Sequence, residues 1–209
     1  MLIKSFILGA YETNCYIVTD EKTRECAVID PGADASTVLD YLEDNRLDCR
    51  CILLTHGHFD HTGAVEDVRE ETGCAVYVHS KDNGVTVGGG YYAFEAPEGA
   101  IFYKEGDIVA VGGIRFAVME TPGHTPGSVT LLCAEEGSGD QALFTGDTLF
   151  RDSCGRTDFP GGSVDAMLSS LKRLAMLEGD YEVYPGHMDA STLDRERRYN
   201  YFVRAALDR

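Results

Sequence analysis

The sequence predicts a layered α/β (α+β) fold, and three observations carry that expectation. Ten short segments, apolar or alternating in character, read as strands along the 209 residues. Fewer segments carry helical periodicity. Several of the strands run out into Gly or Pro-Gly turns that each present one His or Asp, and strand ends are where layered α/β folds place their sites. A hydrophobic content of 44% with no composition break or low-complexity linker predicts one domain over residues 1–209.

In chain order, residues 2–8, 14–19 and 26–30 read as strands. Asp34 is then placed to cap a helix reaching about residue 45, with Val38, Tyr41 and Leu42 on one face. Residues 51–55 form a short apolar run of the buried-strand type, and 62–72 read as a helix ended by Gly73. Further strands are expected over 75–79, 108–111, 114–119, 128–133, 142–145 and 182–184. Ser163 caps a helix in which Met167, Leu168, Leu171, Leu174 and Ala175 recur at helical spacing, a stripe that core packing explains. Ser191 and Asp194 make a capping-box pattern that opens the last helix, where Glu196, Arg197 and Arg198 imply a solvated side.

Five of the six histidines fall in three segments that read as pieces of one metal site. The densest is Thr55-His56-Gly57-His58-Phe59-Asp60-His61, a strand-to-helix loop. Side chains alternate in extended backbone, so His56 and His58 project to one side and can share an ion. Asp60 and His61 point different ways as the chain turns into the helix, and can serve a second. Downstream, His124 follows Thr121-Pro122-Gly123, Asp147 follows Thr145-Gly146, and His187 follows Pro185-Gly186. Glycine in such turns lets backbone approach closely and fixes the direction of the side chain it precedes. Imidazole with carboxylate suits zinc first, with iron or manganese as alternatives, and seven groups exceed what one tetrahedral ion needs. Two divalent metal ions are therefore expected.

His-x-His-x-Asp-His followed by a single His, a single Asp and a final His resembles the metallo-β-lactamase superfamily over nearly the whole chain. Gly146-Asp147-Thr148-Leu149-Phe150, Cys154-Gly155-Arg156-Thr157-Asp158-Phe159 and Tyr184-Pro185-Gly186-His187 resemble its hydroxyacylglutathione hydrolase (glyoxalase II) branch, especially the short bacterial members. Persulfide dioxygenases share much of that pattern. The resemblance implies a four-layer αβ/βα sandwich, two mixed β-sheets flanked by helices. It also implies one metal on His56, His58 and His124 and a second on Asp60, His61 and His187, with Asp147 bridging. The activity it implies is hydrolysis of a thioester such as a hydroxyacylglutathione by a metal-activated hydroxide, with Asp60 orienting that nucleophile. Full-length glyoxalase II enzymes carry an additional C-terminal helical region that supplies much of the glutathione contact, so a broader ester or lactone hydrolase is the alternative. The rival chemistry is a mononuclear iron persulfide dioxygenase using His56, His124 and Asp147, whereas flavin-linked diiron relatives place Glu where His58 stands.

A formal charge of −17 argues against nucleic acid, which binds through a basic footprint this chain lacks, and leaves a small-molecule substrate. No apolar run approaches membrane-spanning length and the start lacks a signal-peptide pattern, so a soluble cytoplasmic protein is expected. No feature specifies an oligomeric state. Seven cysteines without Cys-x-x-Cys spacing do not form a disulfide framework, and Cys51, Cys74 and Cys133 read as buried small apolar residues. Cys154 and Arg156, just after Asp147, are expected to border the cavity and touch substrate. Tyr91, beside the Gly88-Gly89-Gly90 run in a loop over 87–94, is a third substrate-contact candidate. Arg151 is either a further anion contact or an ordinary surface arginine, and His79 has a structural role.

Overall fold

The computed structural model describes residues 1–84, 94–139 and 141–209. The chain opens with β1 (Leu2–Leu8), β2 (Thr13–Thr19), β3 (Glu25–Ile29), α1 (Ala35–Asp44), β4 (Asp48–Leu53), α2 (Phe59–Thr62), α3 (Val65–Thr72) and β5 (Ala75–His79). A 3₁₀ turn over Ser80–Asp82 follows, then β6 (Ile101–Tyr103), β7 (Ile108–Val111), β8 (Ile114–Glu120), β9 (Val129–Glu135) and β10 (Gln141–Gly146). The remainder is β11 (Leu149–Phe150), β12 (Ser153–Cys154), α4 (Val164–Ala175), β13 (Glu182–Pro185), β14 (Ser191–Thr192), α5 (Leu193–Tyr199) and α6 (Tyr201–Leu207).

Two six-stranded sheets, ordered β1-β2-β3-β4-β5-β6 and β14-β13-β10-β9-β8-β7, form the centre. Both are mixed: β3, β4, β5 and β6 run parallel while β1, β2 and β3 are antiparallel, and β10 is parallel to β13 but antiparallel to β9. Alternation along each strand divides the apolar residues between two faces. Val18, Ala27, Ile29 and Leu53 of the first sheet meet Phe116, Leu131 and Phe144 of the second between the sheets. The intervening Ile17, Val28 and Ile52 pack outward under Val38 and Leu42 of α1 and Val65 and Val68 of α3. On the other side Leu143 and Val183 lie under Met167, Leu171 and Leu174 of α4 and Val203 of α6. These three apolar layers give the four-layer sandwich that the resemblance implies, and they explain why the central strands read as continuous apolar runs.

Several local expectations are corrected. Asp34 does precede α1, but it sits in left-handed backbone with φ 50 and makes no side-chain cap; its carboxylate accepts the Gly9 N–H instead at 2.9 Å. The helix expected over 62–72 is two pieces. The Ala64 N–H leaves the helical ladder to bond the Pro31 carbonyl at 3.0 Å, and α3 starts afterwards, with Gly73 at φ 68 closing it as expected. The last helix is capped by Thr192, which accepts from Arg195 N–H, and not by Ser191, whose hydroxyl bonds the buried Glu196. Asn200 then interrupts it and caps α6 through the N–H groups of Phe202 and Val203. Ser163 caps α4 as read, accepting from Ala166 N–H at 3.3 Å. Among the described residues no helix is long and apolar enough to cross a membrane.

Candidate metal centre

Strands β3, β4, β8, β10 and β13 all end at one edge of the sandwich, and the turns that follow them bring the seven predicted ligand residues together. His56, His58 and His124 present ring nitrogens within 4.8 Å of one another, and Asp60, His61 and His187 form a second trio by the same measure. Asp147 lies between them. Its Oδ2 is 3.4 Å from His124 Nε2 and its Oδ1 is 3.4 Å from His61 Nε2. Asp60 Oδ2 stands 3.3 Å from His187 Nε2 and accepts from the Thr13 hydroxyl at 3.4 Å.

The far nitrogen of each of three imidazoles is tied to a fixed partner, which sets its tautomer. His61 Nδ1 bonds Asp30 Oδ2 at 3.0 Å, and His124 Nδ1 bonds the Arg156 carbonyl at 2.8 Å. Thr55 donates its hydroxyl proton to Asp30, so the 3.1 Å contact between Thr55 Oγ1 and His56 Nδ1 has the ring as donor. In its neutral form each of the three would therefore turn an unprotonated Nε2 toward the cleft, as metal-ligating histidines do. Consequences of that arrangement are visible. His124 Nε2 faces His58 Nδ1 at 2.8 Å, and the buried His56 Nε2, His58 Nε2 and Asp147 Oδ1 have no hydrogen-bond partner. Buried polar atoms are normally satisfied, so orphans converging on one cleft fit a cation there.

The charges are arranged to match. Burial, then the neighbouring imidazoles, push His56 far below the ordinary histidine range and His58 down to about 4. For Asp147, burial opposes ionisation, yet His61 and the other imidazoles outweigh it and hold the carboxyl below its usual range. Burial likewise works against the charge on His61, and Asp147 and Asp30 reverse that and raise it.

Two aspartates that sequence reasoning passed over support the site. Asp30 falls within reach of His56 and His61, but both its oxygens are spent on Thr55 and on the back of His61, so it orients ligands from behind. Asp82, fully buried, accepts the N–H groups of Gly57 at 2.9 Å and Gly127 at 2.7 Å and the Thr125 hydroxyl at 2.6 Å. It thereby joins the turn carrying His56 and His58 to the turn carrying His124. Asn14 does similar work for His187: its side-chain amide donates to the carbonyls of Pro185 and Met188 at 3.0 and 2.8 Å. None of the three lies in a His-rich segment, and a polar residue just past an apolar strand, as Asp30 follows β3, was the signal available. Glycines allow the close approach: a Cβ at Gly186 would stand 2.3 Å from Asp147 Oδ1, and Gly146, at φ 47, would meet Thr55 Oγ1 at the same distance.

The cleft above these groups, about 510 Å³, is lined by His58, Asp60, His124, Asp147 and His187, with Tyr11, Phe59, Phe150, Phe159, Met188, Ser153, Cys154 and Arg156 around them. Cys154 and Arg156 border it as expected; burial raises the Cys154 thiol to about 11, so it is protonated at neutral pH. Tyr91 and most of the 87–94 loop lie outside the described residues. Arg151 reaches Asp189 at 3.3 Å and does not line the cleft. His79 is buried and bonds Glu120 at 3.1 Å, the structural role read from sequence. Cys51, Cys74 and Cys133 are buried in the apolar layers.

Residues 8–187 match the metallo-beta-lactamase superfamily. A hydroxyacylglutathione hydrolase, GloC, from Haemophilus influenzae is 32% identical over 221 residues, covering 97% of this chain and 98% of its own. Among solved structures, the BLEG-1 B3 metallo-beta-lactamase superposes with a TM-score of 0.84 at 33% identity, covering 97% of this chain and 99% of that one. TTHA1623 in a di-iron-bound form gives a TM-score of 0.81 at 34% identity, covering 95% and 99%.

Proposed function

The chain belongs to the metallo-beta-lactamase superfamily, a fold that binds divalent metals, and from its site we propose a dinuclear metal hydrolase that cleaves thioesters. Asp147 carries the dinuclear part, because its carboxylate lies between the two trios, with Oδ2 3.4 Å from His124 Nε2 and 3.7 Å from His187 Nε2 and Oδ1 3.4 Å from His61 Nε2. His56, His58 and His124 on one side and Asp60, His61 and His187 on the other, with Asp147 between them, would hold two divalent cations, whose chemistry there would be to supply a water ionised near neutral pH and to polarise an acyl oxygen. Zinc suits this donor set, and the di-iron form of TTHA1623 makes iron the alternative.

The protein's own groups do the rest. Asp60 reaches the cleft, where its carboxylate, held low by His187 against the opposing effect of burial, can accept a proton or orient a nucleophile. Asp30, Thr55 and the Arg156 carbonyl keep the imidazoles in one orientation, so no reorganisation is needed as charge develops. Outside the seven ligand residues, the described cleft lining offers no carboxylic acid or imidazole to protonate a leaving group. A thiolate departs without such help, which favours a thioester over an amide or a simple ester and agrees with the similarity to GloC, a hydroxyacylglutathione hydrolase. Charge and composition fit a soluble cytoplasmic enzyme with a small-molecule substrate.

The test is a panel of thioesters, lactones, a β-lactam and a persulfide, assayed on protein of measured metal content. Two metal equivalents and thioester hydrolysis are expected, with His58→Ala lowering turnover roughly a thousandfold while the circular-dichroism spectrum is retained. One iron per chain with oxygen uptake on the persulfide would replace this reading by the dioxygenase one.

A further inference from the structure

The walls around the ligand residues are apolar on both sides. On the Asp60 and His187 side, Tyr11 and Phe59 meet edge to face at 5.0 Å, with Met188 beside them. Phe150 also reaches His187 at 6.1 Å, while on the other side Phe159 stands edge-on to His58 at 5.9 Å. Tyr11 and Met188 are 61% and 60% exposed. Large apolar side chains left open around a concave polar centre mark a surface that a ligand covers.

Cations are treated differently. Among the described residues that line the cleft, Arg156 is the one Lys or Arg, and it is already engaged. Its Nε and Nη2 donate to the two oxygens of Asp158 at 2.7 Å each, and its guanidinium lies 3.8 Å over the Phe159 ring. The pairing holds the Asp158 carboxyl down at about 2, so Asp158 is ionised throughout the neutral range. Two further arginines around the β11–β12 hairpin are matched in the same way, Arg151 to Asp189 and Arg195 to Asp152. A substrate carboxylate approaching Arg156 exchanges one bidentate carboxylate for another and gains little, on a protein whose net charge of −17 repels it.

We propose that this cleft selects thioesters whose thiol part is uncharged and apolar, and discriminates against thiols bearing carboxylates, glutathione included. The inference rests on the hydrolase reading and narrows its substrate class. Aromatic and methionine surface takes up the apolar thiol, while Asp158 keeps Arg156 from serving as an anion anchor.

Benzyl thioacetate and S-acetylglutathione share one acyl group and differ in the thiol, so their kcat/KM ratio on the metal-loaded full chain reads the preference directly. At least a tenfold advantage for benzyl thioacetate is expected. Asp158→Asn, which releases Arg156, should shrink the ratio, and Phe159→Ala should shrink it from the other side by weakening the benzyl substrate. Binding is read separately by thermal shift with benzyl ethyl sulfide and S-ethylglutathione, which are not hydrolysed. A ratio of one or below, or tighter binding of S-ethylglutathione, overturns the proposal. If neither thioester turns over, the thioesterase reading falls, and the thioether pair still decides what the cleft prefers.

Discussion

Strand β2 joins two ends of the sandwich that use the same part for opposite purposes. At its C-terminal end Asp20 accepts the N–H groups of Lys22 and Gly113 at 2.8 Å each, tying the turn after β2 to the β7–β8 turn of the other sheet. At its N-terminal end, where Thr13 and Asn14 meet the ligand turns, Asp82 and Asp30 also take backbone N–H groups from separate loops. The difference lies in what remains. Both Asp20 oxygens are engaged, whereas the Asp30 and Asp82 end leaves His56 Nε2, His58 Nε2 and Asp147 Oδ1 without partners. Buried polar groups held rigid yet unsatisfied cost stability unless something binds them, and that separates the end built for function from the end built for cohesion.

The largest effect that would break this contrast is expected at Asp82. Asp82→Ala strips an acceptor from two backbone N–H groups and one hydroxyl, a loss of about 3 kcal/mol in denaturant unfolding of the metal-free protein. Metal affinity should fall roughly 10- to 100-fold, as for groups that orient ligands from behind. A variant with unchanged metal affinity would show that Asp82 holds the loops without holding the site.

Asp20→Asn sharpens the comparison from the other end. The Gly113, Lys22 and Thr23 N–H groups hold the Asp20 carboxyl at about 2, below its unfolded value near 3.8. A depressed carboxylate contributes stability above the unfolded pKa and loses it as pH falls through the folded one. The wild-type advantage over Asp20→Asn, up to about 2 kcal/mol at pH 7, should therefore persist to near pH 4 and vanish by about pH 2. Metal affinity should not change; a shift with competing chelator would contradict the division between the ends. The smallest effect belongs to Asp34→Ala. It loses no helix-cap bond, but it gives up the exposed Gly9 N–H contact and places Ala in left-handed backbone, so it should cost about 1 kcal/mol by thermal melting.

Legibility followed the range of the interactions. Strand bounds such as Leu2–Leu8, Ala75–His79 and Ile108–Val111 coincide with the reading, because apolar alternation is local. Short pieces did not announce themselves: β6 adds only three residues to a sheet edge, and β14 and the β11–β12 hairpin are two residues per strand. Helix starts failed where a distant partner claimed the group. Asp34 turned to Gly9, Ser191 to Glu196, and Ala64 N–H to Pro31, none of which lies at a capping offset.

By itself the sequence determined the layered fold, through the apolar period of its strands, and singled out the seven His and Asp residues proposed as ligands, through a side-chain chemistry rare enough to stand out wherever it occurs. Only the tertiary structure decided which residues hold those side chains from behind and which groups line the cleft. Asp30, Asp82 and Asn14 are ordinary polar residues until folding brings carbonyls, hydroxyls and N–H groups from other segments into their reach. Arg156 reads as an anion anchor in the chain, and becomes a neutralised one because backbone geometry sets Asp158 against both of its donors. Ligand identity is a property of the residue, whereas orientation and charge balance are properties of the neighbours, and neighbours are assigned by the fold.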